Sequence, residues 1–289
     1  MFRLFGSGRD IEVLGSINGI TLTREDIAKF GDVVHDNSPI HRNADDARQH
    51  GFDDTPVIGV HLAAIGGRIS RNLLAIMQTP DKMSYYTRQE VTFRDPVYPN
   101  EPINWTIADE IIDDTMRSYR LMVPSSNPSA KPRVELTSVF STAKPEFQRR
   151  GISKLVYQEK VKIVPHEVEE FYHCLKESPL KDVAFSHGVA IIPSTLLSFL
   201  AELNKLSGTE IGGKNISMGS QMYEDLEVGD GIVEVYQVAK KGRGEKVFYT
   251  FDGVLYQNGT ARISSEVKTL TNGELNTEAL RSRWGLTED

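Results

Sequence analysis

The stretch that decides the fold is residues 59–76, which read GVHLAAIGGRISRNLLAI. Apolar and small residues recur in it at helical spacing, so it predicts a long helix that begins at Gly59. The glycine and alanine positions, Ala63 and Gly66 among them, allow neighbouring backbone to approach closely. We therefore expect a central helix around which a sheet is wrapped.

Strand-like sequence follows this helix. The segments are rich in valine, threonine and aromatic residues and are separated by turn-forming residues, as in an antiparallel sheet. A loop with three prolines and three serines occupies residues 124–132. The predicted strands cover residues 84–93, 103–112, 118–123 and 134–143.

The same pattern starts again after a predicted linker at residues 144–153. Residues 161–171 (VKIVPHEVEEF) repeat residues 20–30 (ITLTREDIAKF), and Thr23 is the predicted N-cap of the first copy. A buried helix is expected at residues 194–205. Further strands are expected at residues 216–222, 231–240, 246–257 and 261–270.

Two matched copies predict a duplicated α+β protein, in which two antiparallel sheets each wrap a long helix. Pairing of the two sheets at one edge would remove two exposed edges, which is a physical reason for joining the copies. We place the domains at residues 1–146 and 147–289. Two unrelated α+β domains are the alternative.

Composition narrows the possible functions. The chain has 289 residues, of which 39% are hydrophobic, and its net charge of -7 argues against nucleic acid or an anionic membrane as the main partner. Its one cysteine, Cys174, excludes an intrachain disulfide and fits a cytoplasmic protein; we expect it to be a small buried residue. No apolar segment is long enough to span a bilayer, and no signal peptide is expected.

Residues 35–41 (HDNSPIH) carry the candidate chemistry. Asp36 and His41 stand five positions apart across Pro39, which restricts both its own backbone and that of Ser38. Such a loop can hold a carboxylate and an imidazole at a fixed separation, where they could position a water molecule and move its protons. Taken alone, the spacing is a weak signal, and an aspartate in an Asx-turn with a solvated histidine is its commoner explanation.

Gly59 changes that balance. It stands 18 positions after His41 and at the start of the predicted helix. Backbone N–H groups at a helix start have no intrahelical partner, and a glycine there lets a substrate carbonyl come close. An acid–base pair beside such donors is what the enolate chemistry of a thioester requires.

These segments resemble the MaoC-like (R)-specific enoyl-CoA hydratase family. The matching residues include Asp36 and the run Pro39–Ile40–His41, then residues 59–62 (GVHL) and the strand at residues 85–97 (YYTRQEVTFRDPV). The resemblance covers about residues 15–145. It implies a hot-dog fold, which makes the whole chain a double hot-dog, with Asp36 and His41 as the catalytic pair. Gly59, Val60 and His61 would bind the thioester at the helix start.

Three residues depart from the family pattern. Ser38 stands where the family has asparagine, Ile58 where a histidine often precedes the glycine, and Gly67 where a serine is often found. In the second copy Lys176 aligns with Asp36 and Lys181 with His41, and protonated lysines cannot accept a proton. We therefore expect one active site, with a second copy that is not catalytic.

The expected activity is a hydro-lyase reaction, the reversible hydration of a 2-enoyl thioester of CoA or acyl carrier protein. The alternatives are a hot-dog acyl-CoA thioesterase and a protein that binds acyl thioesters without turnover. The histidines have no metal-ligand spacing and no nucleotide-binding motif occurs, so we expect neither metal nor cofactor. A homodimer of double hot-dogs is a further expectation.

Overall fold

A computed structural model describes residues 12–34, 36, 38–77, 85–113, 116–127, 129–148, 154–175, 213–224, 226–243, 246–283 and 285–286. These residues form two compact units. The first contains the residues up to Ala28 together with Pro39–Pro145. The second contains Lys29–Ser38 together with the described residues from Glu146 onward.

Among the described residues, antiparallel strands dominate both units, and helices are few. The strands are β1 (Glu12–Ile20), β2 (Tyr85–Phe93), β3 (Ile103–Asp113), β4 (Met116–Val123), β5 (Val134–Ser141), β6 (Lys154–Ile163), β7 (Gly213–Met222), β8 (Gly229–Arg243), β9 (Lys246–Gln257) and β10 (Thr260–Asn272). The helices are α1 (Arg24–Val33), a 3-10 turn (Pro39–His41), α2 (Ala44–Gln49), α3 (Gly59–Met77), α4 (Pro165–Cys174) and α5 (Thr277–Arg283).

The sheet of the first unit has the strand order β1-β3-β4-β5-β2. All its neighbours are antiparallel; for example, Gln89 of β2 lies opposite Ser138 of β5. The side chains of β5 alternate between buried and half-buried, which is the pattern of a sheet with one face against a core.

The sheet of the second unit has the order β7-β10-β9-β8-β6. Taken from its other end, this order is β6-β8-β9-β10-β7, so β6 to β10 hold the same places as β1 to β5 in the first unit, as a duplicated topology requires. The turn between β9 and β10 has Asn258 and Gly259 at φ 53° and 75°, the pair that favours a tight hairpin. The predicted helix at residues 194–205 and the segment around Lys176 and Lys181 lie outside the described residues.

The predicted central helix of the first copy is confirmed as α3, and it packs against the first unit's sheet. A Cβ atom on Gly66 would lie 2.7 Å from Cδ1 of Leu136 on β5. One on Gly67 would lie 2.8 Å from Nε2 of Gln89 on β2. Both glycines are buried, so their lack of a side chain is what brings the helix this close to the strands.

The predicted start of α1 is also confirmed. Thr23 accepts a hydrogen bond at Oγ1 from the backbone N–H of Asp26 (3.1 Å), and Asp26 Oδ2 accepts one from the N–H of Thr23 (2.9 Å). This reciprocal pair is a capping box, and it fixes where the helix begins.

The strands β1 and β6 were not predicted. Each ends the strand order of its unit's sheet, so within that sheet it has one neighbour. The side chains of β1 are mostly exposed and the strand contains Gly15 and Gly19. Without a buried face it lacks the alternation on which strand prediction depends. The short helices α2 and α5 were missed too.

Cys174 is 7% exposed, as expected for a small buried residue. No helix in the described part of the chain combines the length and apolarity needed to cross a bilayer.

We predict that Gly66→Ala lowers the free energy of unfolding by up to about 2 kcal/mol. Overpacking of the new methyl group against Leu136 costs about 1–3 kcal/mol, and the higher helix propensity of alanine offsets about 1 kcal/mol of it. Urea unfolding of the purified protein measures this. The matched test repeats the substitution in a Leu136→Val background, where the smaller side chain leaves room and the cost is expected to shrink. An equal cost in both backgrounds would contradict the close approach of α3 to β5.

Candidate active site

Asp36 lies in the short loop that follows α1. Its backbone N–H donates to the carbonyl oxygen of Gly31 (2.8 Å), and its Oδ1 accepts a hydrogen bond from the N–H of Ser38 (3.0 Å). The residue is only 3% exposed. A buried carboxylate must be hydrogen-bonded to be tolerated, and Ser38 supplies one such bond through its backbone.

His41 closes the 3-10 turn that comes next. The carbonyl oxygen of Pro39 accepts bonds from the N–H groups of Arg42 (2.9 Å) and Asn43 (2.8 Å). Asn43 then caps α2, since its Oδ1 accepts from the N–H of Asp45 (2.8 Å). The backbone at His41 is therefore fixed by a closed turn that runs directly into a capped helix.

The imidazole of His41 is held by Pro56, which lies 15 positions further along the chain. The distance from Nδ1 to the carbonyl oxygen of Pro56 is 2.8 Å. A carbonyl oxygen can only accept, so Nδ1 carries the proton in this bond. In the neutral ring the basic nitrogen is then Nε2, and a general base requires this fixed tautomer.

Pro56 belongs to a segment that leads into α3, which we call the leading segment (residues 53–58). The N–H of Asp53 donates to the Tyr98 hydroxyl (3.1 Å), and the N–H of Val57 donates to the carbonyl oxygen of Val97 (2.8 Å). Both partners follow β2, so the segment is bonded to the chain at the end of that strand.

Arg24, the first residue of α1, holds the middle of the leading segment. Its guanidinium donates to both carboxylate oxygens of Asp54 (2.8 and 2.6 Å) and to Oγ1 of Thr55 (2.9 Å). Hydrogen bonding from Arg24 holds the pKa of Asp54 below its usual value. The Arg24 side chain is 56% exposed, so we expect the ion pair to add at most about 1 kcal/mol to stability.

Gly59 is the first residue of α3, and the ring of Phe93 lies against it. A Cβ atom built on Gly59 would be 3.0 Å from Cζ of Phe93. The N–H groups of Gly59 and Val60 precede the first hydrogen bonds of α3, which His61 and Leu62 donate to the carbonyl oxygen of Ile58, and the helix dipole makes that end positive. Gly59 and Val60 are half-buried, so their backbone donors stand at a partly open helix start.

His61 has a different environment. It is 0% exposed, and its backbone N–H donates to the carbonyl oxygen of Ile58 (2.9 Å). That burial is typical of a core histidine, and it separates His61 from the partly open Gly59 and Val60. Its predicted part in substrate binding stays a prediction.

The structure accommodates each of the three departures from the family pattern. Ser38 bonds Asp36 through its backbone, which does not depend on the side chain. Ile58 is 2% exposed and its carbonyl oxygen accepts the first bonds of α3. Gly67 leaves room for Gln89, whose Nε2 donates to the carbonyl oxygen of Ala63 (2.8 Å).

The structure thus joins His41 to the segment that precedes Gly59, and Asp36 lies buried in the same loop as His41. Sequence reasoning missed Arg24, Asp54 and Thr55. No pattern marks a bond between residues 30 positions apart when one of them is an ordinary surface arginine. Among the described residues, no three histidine, cysteine or acidic side chains are grouped as a metal would need.

Comparison with known proteins relates the first part of the chain to a known domain. The sequence model of the MaoC like domain matches residues 12–120. This range contains Asp36, His41 and Gly59. No curated protein sequence matches the chain.

Solved structures extend the likeness beyond that range. A MaoC-like dehydratase aligns with a TM-score of 0.62 at 7% identity and covers 91% of this chain and 98% of its own. A MaoC-like dehydratase from Phytophthora capsici aligns with a TM-score of 0.57 at 11% identity, covering 94% of this chain and 97% of its own.

The acyl-CoA thioesterase II TesB2 from Mycobacterium marinum aligns with a TM-score of 0.51 at 11% identity, over 76% of this chain and 91% of its own. At these identities the likeness concerns the fold, which these proteins share as a hot-dog-like antiparallel sheet with few helices. The chain therefore carries a MaoC-like domain at residues 12–120, and the resemblance read from its sequence motifs is confirmed.

Proposed function

We propose that the protein is a hydro-lyase that reversibly hydrates 2-enoyl thioesters of CoA or acyl carrier protein. One observation carries the proposal. His41, with its tautomer fixed by Pro56, is bonded to the chain three residues before Gly59 and shares its loop with the buried carboxylate of Asp36. A base, a carboxylate and a helix start are thus linked through a few residues.

The reaction needs a base that removes a proton from water and an acid that delivers a proton to carbon 2 of the enoyl group. In the hydration direction Nε2 of His41 takes a proton from water while the water oxygen bonds to carbon 3. The electron pair of the double bond moves to the thioester oxygen. The proton that His41 took from the water is then returned to carbon 2 as the electron pair moves back, which completes the addition and restores the base. Asp36 orients the water and takes part in the proton transfer.

Negative charge develops on the thioester oxygen as the new bond forms. The N–H groups of Gly59 and Val60 stabilise this charge, because they stand at the positive end of α3 without intrahelical partners. A side chain at position 59 would press on the ring of Phe93, which is a packing reason for glycine there.

A thioesterase reaction is less well supported. Hot-dog thioesterases usually hold a catalytic aspartate or glutamate on the long helix, whereas residues 59–77 contain neither. The similarity to TesB2 is a likeness of fold. A non-catalytic binding protein would not require a carboxylate five positions from an imidazole, and burying the carboxylate of Asp36 would then lower stability without serving a reaction.

We further propose a double hot-dog with one active site, divided into residues 1–146 and 147–289. The matching strand orders of the two units support the duplication. The MaoC-like dehydratase that aligns over 98% of its own length is similar in fold over 91% of this chain. Lys176 and Lys181, which replace the catalytic pair in the second copy, lie outside the described residues.

The second half also bears on Asp36. Phe30 packs against Phe171 of α4 with ring centroids 5.5 Å apart, and both rings are fully buried. Phe30 lies six positions before Asp36, in the part of α1 that belongs to the second unit. Contacts with α4 therefore help to anchor the loop on which Asp36 stands.

We predict that His41→Ala and Asp36→Asn each lower the rate of enoyl-CoA hydration by about 10²–10⁴-fold. The measurement follows the loss of the conjugated enoyl absorbance, with circular dichroism to establish that the variants fold. His50→Ala is the matched control, because His50 also bonds a backbone carbonyl through Nδ1 (2.7 Å, to Asp46). Its activity should stay close to that of the unmodified protein. A folded His41→Ala variant that hydrates at a near-normal rate would end this proposal.

A fragment of residues 1–146 is expected to be insoluble or to dimerise. It leaves Phe30 without the ring of Phe171, against which it packs in the full chain. Light scattering coupled to gel filtration measures this, with the full chain as the control. A soluble, monomeric and fully active fragment would show that the second half supports neither the fold nor the site.

A further inference from the structure

We propose that Arg24 is a positioning residue for His41, acting through Asp54, Thr55 and the carbonyl group of Pro56. The expected effect of Arg24 on the hydration rate rests on the proposed function, whereas its expected effect on the tautomer of His41 does not. Arg24 lies outside the catalytic motif, and the hydrogen bonds of its guanidinium go to the leading segment.

The backbone at Arg24 is held in place. Arg24 is the first residue of α1, and it lies between Thr23 and Asp26, whose capping box fixes the first turn of the helix. Its fork donates to three oxygens on two consecutive residues, at distances of 2.6 to 2.9 Å. A planar fork that bonds several acceptors fixes orientation as well as distance, which a lysine cannot do.

Thr55 transmits this constraint. It is 2% exposed, so its hydroxyl group requires a partner, and Arg24 supplies one. Thr55 precedes Pro56, and a residue before proline is disfavoured in the helical conformation. Pro56 itself has its φ fixed by the pyrrolidine ring. With both residues stiff, holding Asp54 and Thr55 also holds the carbonyl oxygen of Pro56.

That oxygen is the acceptor that fixes the tautomer of His41. If the leading segment loses Arg24, the Pro56 oxygen gains freedom to move and the bond from Nδ1 weakens. The neutral ring can then carry its proton on Nε2 in part of the molecules, and those molecules lack the base. Arg24 is partly exposed, so the bond is better suited to setting local geometry than to stabilising the whole fold.

The test compares Arg24→Met with Arg48→Met. The control removes an arginine of similar exposure (60%) that bonds Asp45 on α2 at 2.7 Å, away from the leading segment. Protein labelled with ¹⁵N-histidine is studied by long-range ¹H–¹⁵N correlation at a pH well above the ordinary imidazole pKa of about 6.5, and His41→Asn assigns the signals.

We expect His41 to carry its proton on Nδ1 in the unmodified chain and in Arg48→Met, and to become a mixture of tautomers in Arg24→Met. The kcat for hydration should fall roughly tenfold in Arg24→Met with KM within about twofold, since misplacement of a catalytic group acts on the chemical step. Arg24→Lys should recover part of the loss. Asp54→Asn provides a second variant that weakens the same contact, should Arg24→Met fail to fold.

A folded Arg24→Met or Asp54→Asn variant with the tautomer of His41 unchanged overturns the proposal. If the unmodified protein hydrates no enoyl thioester, the proposed function fails, and the tautomer measurement still decides the role of Arg24.

Discussion

The hydrogen bond between Nδ1 of His41 and the carbonyl oxygen of Pro56 is the interaction that organises the candidate site. It joins the loop after α1 to the segment that leads into α3. On one side, the 3-10 turn and the cap at Asn43 fix the backbone of His41. On the other side, bonds from Arg24 and with Val97 fix the position of Pro56. A single short bond thus sets both the orientation and the tautomer of the proposed base.

A second constraint is the close approach of the central helix to its sheet. Gly66 and Gly67 leave room for Leu136 and Gln89, and Gly59 leaves room for Phe93. Gly66 and Gly67 allow close packing of α3 against the strands, and Gly59 leaves space at the first residue of the helix. Packing is therefore one reason why glycine occurs in a helix interior, where it would otherwise cost about 1 kcal/mol relative to alanine.

Much of this architecture could be predicted from sequence, because it follows from local periodicity. The long helix from Gly59, the capping box at Thr23 and the eight predicted strands each have a residue pattern that specifies them. The strands β1 and β6 have no such pattern, since each ends its unit's strand order and β1 is largely exposed. The contact between Arg24 and Asp54 depends on the tertiary fold, which brings together residues 30 positions apart, and no local sequence pattern predicts it.

The most direct measurement incubates the full-length protein with a panel of trans-2-enoyl-CoA esters. It reads the mass of the acyl-CoA and the amount of free thiol in the same sample. A hydro-lyase is expected to give an acyl-CoA heavier by one water molecule, with no thiol released beyond a control without protein. Release of thiol without hydration would instead identify a thioesterase, and an acyl-CoA that is bound but unchanged would identify a binding protein; either result would contradict the proposed hydration.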